Sequence, residues 1–335
     1  MKPHVLVVRL DSEGDVLLTG PAIRAVAAGA REVTLLCGPR GRQSAELLPG
    51  VDRILVHRAP WIDPEPEPLD RKETLALVDR LKALDVEQAI VFTSFHQSAL
   101  PTALLLRLAG IRTIAAISED YPGSLLDVRH LARDDVHEVE RSLSLAATLG
   151  YSLPAGDDGR LAIERNGSSS TVRGRYVVVH PGASVPARAW PVDLHRKLVD
   201  ALVAGGRRVV VTGGPTERAL TATVAGDRRP PVVDLGGRTD LAGLSDVLAA
   251  ADAVVVGNTG PAHLAAAVGT PVVSLFAPTV PAVRWRPWRV AHRLLGDQTA
   301  PCANSRAREC PVPGHPCLRS VTVGDVVEAV EGLGS

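Results

Sequence analysis

Ala253-Val254-Val255-Val256-Gly257-Asn258-Thr259-Gly260-Pro261-Ala262-His263 is the stretch on which the fold class turns. A short run of valines is what a strand buried on both faces looks like. The glycine-bearing turn after it opens a helix of small residues, Ala262–Val268. Strand, tight loop, helix is the repeating unit of a parallel α/β sheet.

Outward from this stretch the same step recurs along the chain. In the first half, strands are expected at Val5–Val8, Val33–Cys37, Arg53–Val56, Gln88–Phe92 and Thr113–Ile117. Helices are expected at Val16–Ala28, Arg71–Leu84, Ala99–Leu108 and Val136–Leu149, the first starting late or kinking at Pro21. From Tyr151 to Arg175 the composition turns to Gly, Asp, Asn and Ser, which is that of a linker. The alternation then restarts, with strands at Tyr176–His180, Arg208–Thr212, Val232–Leu235, Ala253–Val256 and Pro271–Phe276. Helices there fall at Val192–Ala204, Thr216–Val224, Leu241–Ala250 and Ala262–Val268. The expected organisation is α/β: two doubly wound, Rossmann-like parallel-sheet domains facing a cleft. Residues 1–155 form the first, 156–175 the linker and 176–320 the second. A C-terminal helix in 321–335 is expected to pack back on the N-terminal domain.

Composition narrows the classes. A length of 335 residues suggests about two domains. The 37 basic residues balance 37 acidic ones, so no cationic surplus favours nucleic acid as a partner. The weakly polar stretch Leu264–Ala277 is too short and broken to span a bilayer, leaving at most peripheral membrane contact. Met1 leads straight into a strand-like segment, and four cysteines do not make a disulfide scaffold. A soluble, cytoplasmic protein is expected.

In open α/β sheets ligands bind beyond the carboxyl ends of the strands, so the loops after each strand hold the candidate residues. After the first strand comes Arg9-Leu10-Asp11-Ser12-Glu13-Gly14-Asp15. Gly14 lets the backbone approach a ligand, and Asp15 reads either as a general base or as the cap of the next helix. His180-Pro181-Gly182-Ala183-Ser184, followed by Arg188-Ala189-Trp190-Pro191, reads as an anion site or as an ordinary strand–helix loop. In Gly213-Gly214-Pro215-Thr216-Glu217, Glu217 suits ribose hydroxyls, or simply the dipole of its helix. In the opening stretch, Thr259, Gly260 and the following amides suit a phosphate, with His263 as a further donor or as a structural histidine. Cys302, Cys310, Cys317 and His315 are zinc-type ligands, but their spacing lacks a C-x-x-C clasp, so free thiols are expected.

The sequence has no G-x-G-x-x-G, no G-x-x-x-x-G-K-[ST], no G-x-S-x-G and no Asp-x-Asp. No bound cofactor or metal is therefore expected. A nucleotide would be held by loops, helix termini and an arginine.

These loops, in this order, resemble the heptosyltransferase family, glycosyltransferase family 9, which has the GT-B fold. The resemblance spans nearly the whole chain and includes the cysteine-bearing tail. The family usually has Lys where this chain has Arg188, and Asp where it has Asn258. The resemblance implies inverting, metal-independent transfer of a heptose or related sugar from a nucleotide-diphosphate sugar, ADP-heptose first among them. It implies Asp15 as base, with Ser12 and Gly14 in the acceptor loop. It implies Ser184, Arg188, Glu217, Asn258, Thr259, Gly260 and His263 on the donor. The acceptor implied is a hydroxyl of a glycan, a lipopolysaccharide core or a secondary metabolite. A non-hydrolysing sugar-nucleotide epimerase and a degenerate GT-B binding module are the competing readings. Arginine far outnumbers lysine, which is confined to Lys2, Lys72, Lys82 and Lys197, a bias of GC-rich bacterial genomes.

Overall fold

The computed structural model describes residues 1–165, 172–226 and 230–333. It divides into two compact units, Met1–Glu164 and Arg165–Ser335. Residues 166–171 of the expected linker, and 334–335 of the expected C-terminal segment, lie outside the described residues. The first unit runs on past the expected boundary at 155. Arg24 holds Asp157 through Nε at 2.6 Å and Nη2 at 2.9 Å, and the Glu164 amide donates to Leu47 O at 2.7 Å.

The first unit carries β1 (His4–Arg9), β2 (Glu32–Cys37), β3 (Arg53–Val56), β4 (Gln88–Val91), β5 (Thr113–Ile117) and β6 (Val128–His130). Its helices are α1 (Glu13–Gly29), α2 (Arg42–Ala45), α3 (Arg71–Ala83), α4 (Leu100–Leu108) and α5 (Glu138–Ala147). The strands are parallel, in the order β3-β2-β1-β4-β5-β6. Every residue of β1 is buried, because side chains alternate between two covered faces. Leu6 and Val8 pack with Leu77 and Leu81 of α3 and Leu106 of α4. Helices α1 and α5 pack together and cover the sheet's other side. Helix α1 starts at Glu13, ahead of the expected Val16, and runs through Pro21. Two acids in its first turn complement the helix dipole and extend the N-terminus.

The second unit carries β7 (Val177–His180), β8 (Val209–Val211), β9 (Val232–Asp234), β10 (Ala253–Gly257), β11 (Val272–Leu275) and β12 (His292–Leu295). Its helices are α6 (Val192–Ala204), α7 (Arg218–Ala225), α8 (Leu241–Ala249), α9 (Gly260–Ala267), α10 (Ala282–Trp285), α11 (Pro316–Arg319) and α12 (Val323–Leu333). The order β12-β11-β10-β7-β8-β9 is the same topology as the first unit, strand for strand. Val177, Val179, Val255 and Val273 meet Leu198, Val199 and Leu202 of α6. Each such valine contributes about 1.5–3 kcal/mol by leaving water.

Helix α12 is the last element of the second unit. Its buried face, Val326, Ala329 and Val330, belongs to the second unit's own core, against α6 and strands β10 to β12. That sheet face needs an apolar cover, and α12 supplies it. Among the described residues, no helix is long and apolar enough to cross a membrane.

In both sheets the strand order reverses beside the first strand, between β1 and β4 and between β7 and β10. Such switch points open a crevice at the carboxyl ends of the strands. The candidate residues sit at these two places.

Candidate functional site

At the first unit's switch point, Arg9 closes β1 with its side chain only 1% exposed. A buried guanidinium needs several partners, and this one has them. Its Nε lies 2.7 Å from Asp11 Oδ2, and its Nη2 lies 3.1 Å from Asp15 Oδ1 and 3.0 Å from Ser94 Oγ. Burial alone would lower its pKa, but Asp11, Asp15 and Glu138 together hold it above the ordinary value. Asp11 also accepts from Gln97 Nε2. Burial pushes the Asp11 carboxyl up to about 6, against the pull of Arg9.

Asp15 is placed by this network. Ser12 takes the N-cap position of α1, and its hydroxyl donates to Asp15 Oδ2 at 2.8 Å instead of capping the helix. The reading of Asp15 as the cap is thereby corrected, since the sequence position of the cap is three residues earlier. The Asp15 side chain is 20% exposed, so its carboxylate is fixed by Arg9 and Ser12 while still reachable from solvent. Gly14 is buried behind it, within the first turn. Glu13, the neighbouring acid, has its pKa raised by burial, with Arg40 opposing.

At the second unit's switch point, β10, β7 and β8 are neighbours, so the loops after them are brought together. Two glycines let them touch. A Cβ on Gly182 would stand 2.0 Å from Glu217 Oε1, so only glycine admits the carboxylate there. A Cβ on Gly257 would stand 3.3 Å from Arg188 O, so the end of β10 packs close against the Arg188 turn. That turn is a 3-10 helix, Pro186–Arg188.

Glu217 ends a second 3-10 turn, Pro215–Glu217, and its Oε2 accepts from the Gly214 amide at 2.7 Å. Its Oε2 also lies 3.9 Å from His180 Nε2. His180 is buried and its pKa is lowered by desolvation, with Glu217 opposing; its Nδ1 meets Thr212 Oγ1 at 3.0 Å. Ser184 is exposed, and Arg188 is half-buried. Asn258 and His263 are buried at 5% and 4%, deeper than a surface donor pair would be. Thr259 is the N-cap of α9, with Gly260 as the first helical residue. Pro261 lacks an N–H and the Ala262 amide is used on Thr259 O, so an anion at this end would face the amides of Thr259 and Gly260.

A cavity of about 630 Å³ opens beside the Arg188 turn, lined by Ala189, Trp190, Pro191, Arg196, His315 and Arg319 among others. None of the seven expected donor residues lines it. Cys302, Cys310 and Cys317 are free thiols, and among the described residues no group of His, Cys, Asp and Glu is arranged to hold a metal.

Arg9, Asp11, Ser94, Gln97 and Gly182 were not among the expected site residues. Ser94 and Gln97 lie in the loop after β4, where the strand-end rule points as directly as it does after β1.

The family model for glycosyltransferase family 9 (heptosyltransferase) matches residues 74–315. The chain is 30% identical over 320 residues to lipopolysaccharide heptosyltransferase 1 of Pseudomonas aeruginosa, covering 92% of this chain and 87% of that one. It is 33% identical over 162 residues to lipopolysaccharide heptosyltransferase 3 of Escherichia coli (strain K12). That match spans about half of each protein, 45% of this chain and 47% of that one. The solved structure of E. coli heptosyltransferase WaaC with ADP has a TM-score of 0.76 and 22% identity, covering 98% of this chain and 99% of that one. That likeness is one of fold.

Proposed function

The chain belongs to glycosyltransferase family 9, and on that footing we propose that it transfers a heptose from ADP-heptose to a hydroxyl of a lipopolysaccharide-type glycan, with inversion and without a metal ion. The observation that carries this reading is the Asp15 carboxylate, fixed by Arg9 and Ser12 at the first unit's switch point yet open to solvent. A general base needs a defined position and reach to the proton it takes. The acceptor hydroxyl attacks the anomeric carbon as the bond from that carbon to the diphosphate oxygen breaks. The hydroxyl proton passes to Asp15, and the nucleoside diphosphate leaves.

The first unit binds the acceptor and the second the donor. Arg188, Ser184 and the amides of Thr259 and Gly260 meet the charge growing on the leaving diphosphate. Such preorganised donors are worth about 3 kcal/mol each. Glu217 holds the nucleotide ribose. Support for the donor comes from the relatives, which are named heptosyltransferases, one of them solved with ADP. The reaction runs in the cytoplasm, with at most peripheral contact with a membrane bearing the acceptor.

The test is a donor screen by mass spectrometry. The purified protein is incubated with ADP-, GDP- and UDP-sugars and a heptose-free lipopolysaccharide core. A product heavier by one heptose, formed only with ADP-heptose, is the expected result. A free sugar released from the donor with no acceptor present would point instead to an epimerase-type reaction.

A further inference from the structure

The cysteine-bearing tail has no part in the reaction described above, yet it touches the donor-binding loops at one place. Cys302 and Cys317 are rooted in the second unit's core, beside Trp190 and Leu318. Between them the chain passes along the 3-10 turn that carries Arg188. The Ala187 amide donates to Arg308 O at 2.9 Å, and His315 Nε2 lies 3.1 Å from Ala187 O. A carbonyl only accepts, so that ring nitrogen carries the proton. Both backbone polar groups of Ala187, a residue 1% exposed, are thus held by the tail. On the other side the turn is wedged by Gly257 against Arg188 O.

His315 adopts φ 50°, in the left-handed region that only glycine enters freely. A non-glycine residue stays there where its surroundings over-determine it. Here that conformation accompanies an imidazole directed at the one carbonyl that precedes Arg188. Turning the Ala187 peptide would swing the Arg188 backbone with it.

We propose that His315 is a positioning residue for donor recognition: by holding Ala187 O it fixes the peptide from which Arg188 extends toward the donor diphosphate. The inference rests on the reading that Arg188 grips that diphosphate. What the contact needs at that point is an N–H donor.

The experiment is calorimetric titration of ADP into the wild type, His315→Ala, His315→Gln, Arg188→Ala and the Arg188→Ala/His315→Ala double variant, with melting curves for each. His315→Ala should bind ADP about three- to tenfold more weakly, the effect of losing one hydrogen bond. His315→Gln, whose amide reaches as far as Nε2, should recover most of that loss. In the Arg188→Ala background, His315→Ala should cost nothing further. Unchanged ADP affinity in a folded His315→Ala protein, no recovery in His315→Gln, or the same loss in both backgrounds would overturn the proposal. If instead Arg188→Ala itself binds ADP like the wild type, the diphosphate reading fails first and separately.

Discussion

Gly182→Ala should cost the protein its nucleotide affinity while leaving its fold nearly intact. The added methyl carbon would stand 2.0 Å from Glu217 Oε1, 2.4 Å from its Cδ and 2.6 Å from its Oε2. A Cβ carbon essentially never comes within 3.0 Å of another such atom, so the carboxylate must retreat by at least 1.0 Å, the difference between 3.0 and 2.0. The retreat breaks the 2.7 Å bond from the Gly214 amide to Oε2. For the fold this is the loss of one capping bond at a turn whose glutamate is already 26% exposed. That costs about 1 kcal/mol, or about 2–4 °C in melting temperature for a unit of this size. For binding, the group proposed to hold the ribose is displaced. A hydrogen bond to a charged group is worth about 1.5–3 kcal/mol, so Kd for ADP should rise about 10- to 150-fold. Calorimetry with ADP and a melting curve separate the two effects, and Glu217→Gln serves as the charge-only control. A Gly182→Ala protein that binds ADP as tightly as wild type would refute the ribose role of Glu217.

Arg188→Ala should weaken ADP binding by about 1.5–3 kcal/mol in the same calorimetric assay, and Arg188→Lys by less, since the ammonium keeps the charge but loses the two-pronged grip. Burial lowers the His195 pKa to about 4, so the folded state favours the neutral ring. Stability from this group is complete above about pH 6.5 and is lost as pH falls from there toward 4, up to about 3 kcal/mol. Urea melts at pH 7.5 and 5 should therefore show a steeper loss in the wild type than in His195→Gln. Asp11 acts in the opposite sense: its raised pKa makes its burial costly as pH climbs from about 4 through 6, and Asp11→Asn should flatten that part of the same stability profile. Transferase activity should persist in EDTA, whereas its loss and recovery with Mg²⁺ or Mn²⁺ would place a metal in the reaction.

The parallel architecture was legible because central strands such as Val177–His180 and Ala253–Gly257 are buried on both faces and read as unbroken apolar runs. The edge strands Val128–His130 and His292–Leu295 were not, being short, charged and half-exposed, with no periodicity to read. The loops that follow strands were legible as candidate sites because ligands gather there whatever the side chains. The partners of Asp15 were less so. Ser94 and Gln97 meet Arg9 and Asp11 across 85 and 86 residues of sequence, and only the β1–β4 pairing brings them together. Likewise the need for glycine at 182 arises from a side chain 35 residues on, across the β7–β8 pair.

The most direct test of the account is turnover by Asp15→Asn. With ADP-heptose and a heptose-free lipopolysaccharide core, ADP release should fall by about 100-fold or more, the usual contribution of a general base. ADP affinity should stay at the wild-type value, because Asp15 lies in the first unit and the residues proposed to hold the donor belong to the second. Near-normal turnover would contradict the account and leave Asp15 as a first-turn residue of α1 held by Arg9 and Ser12.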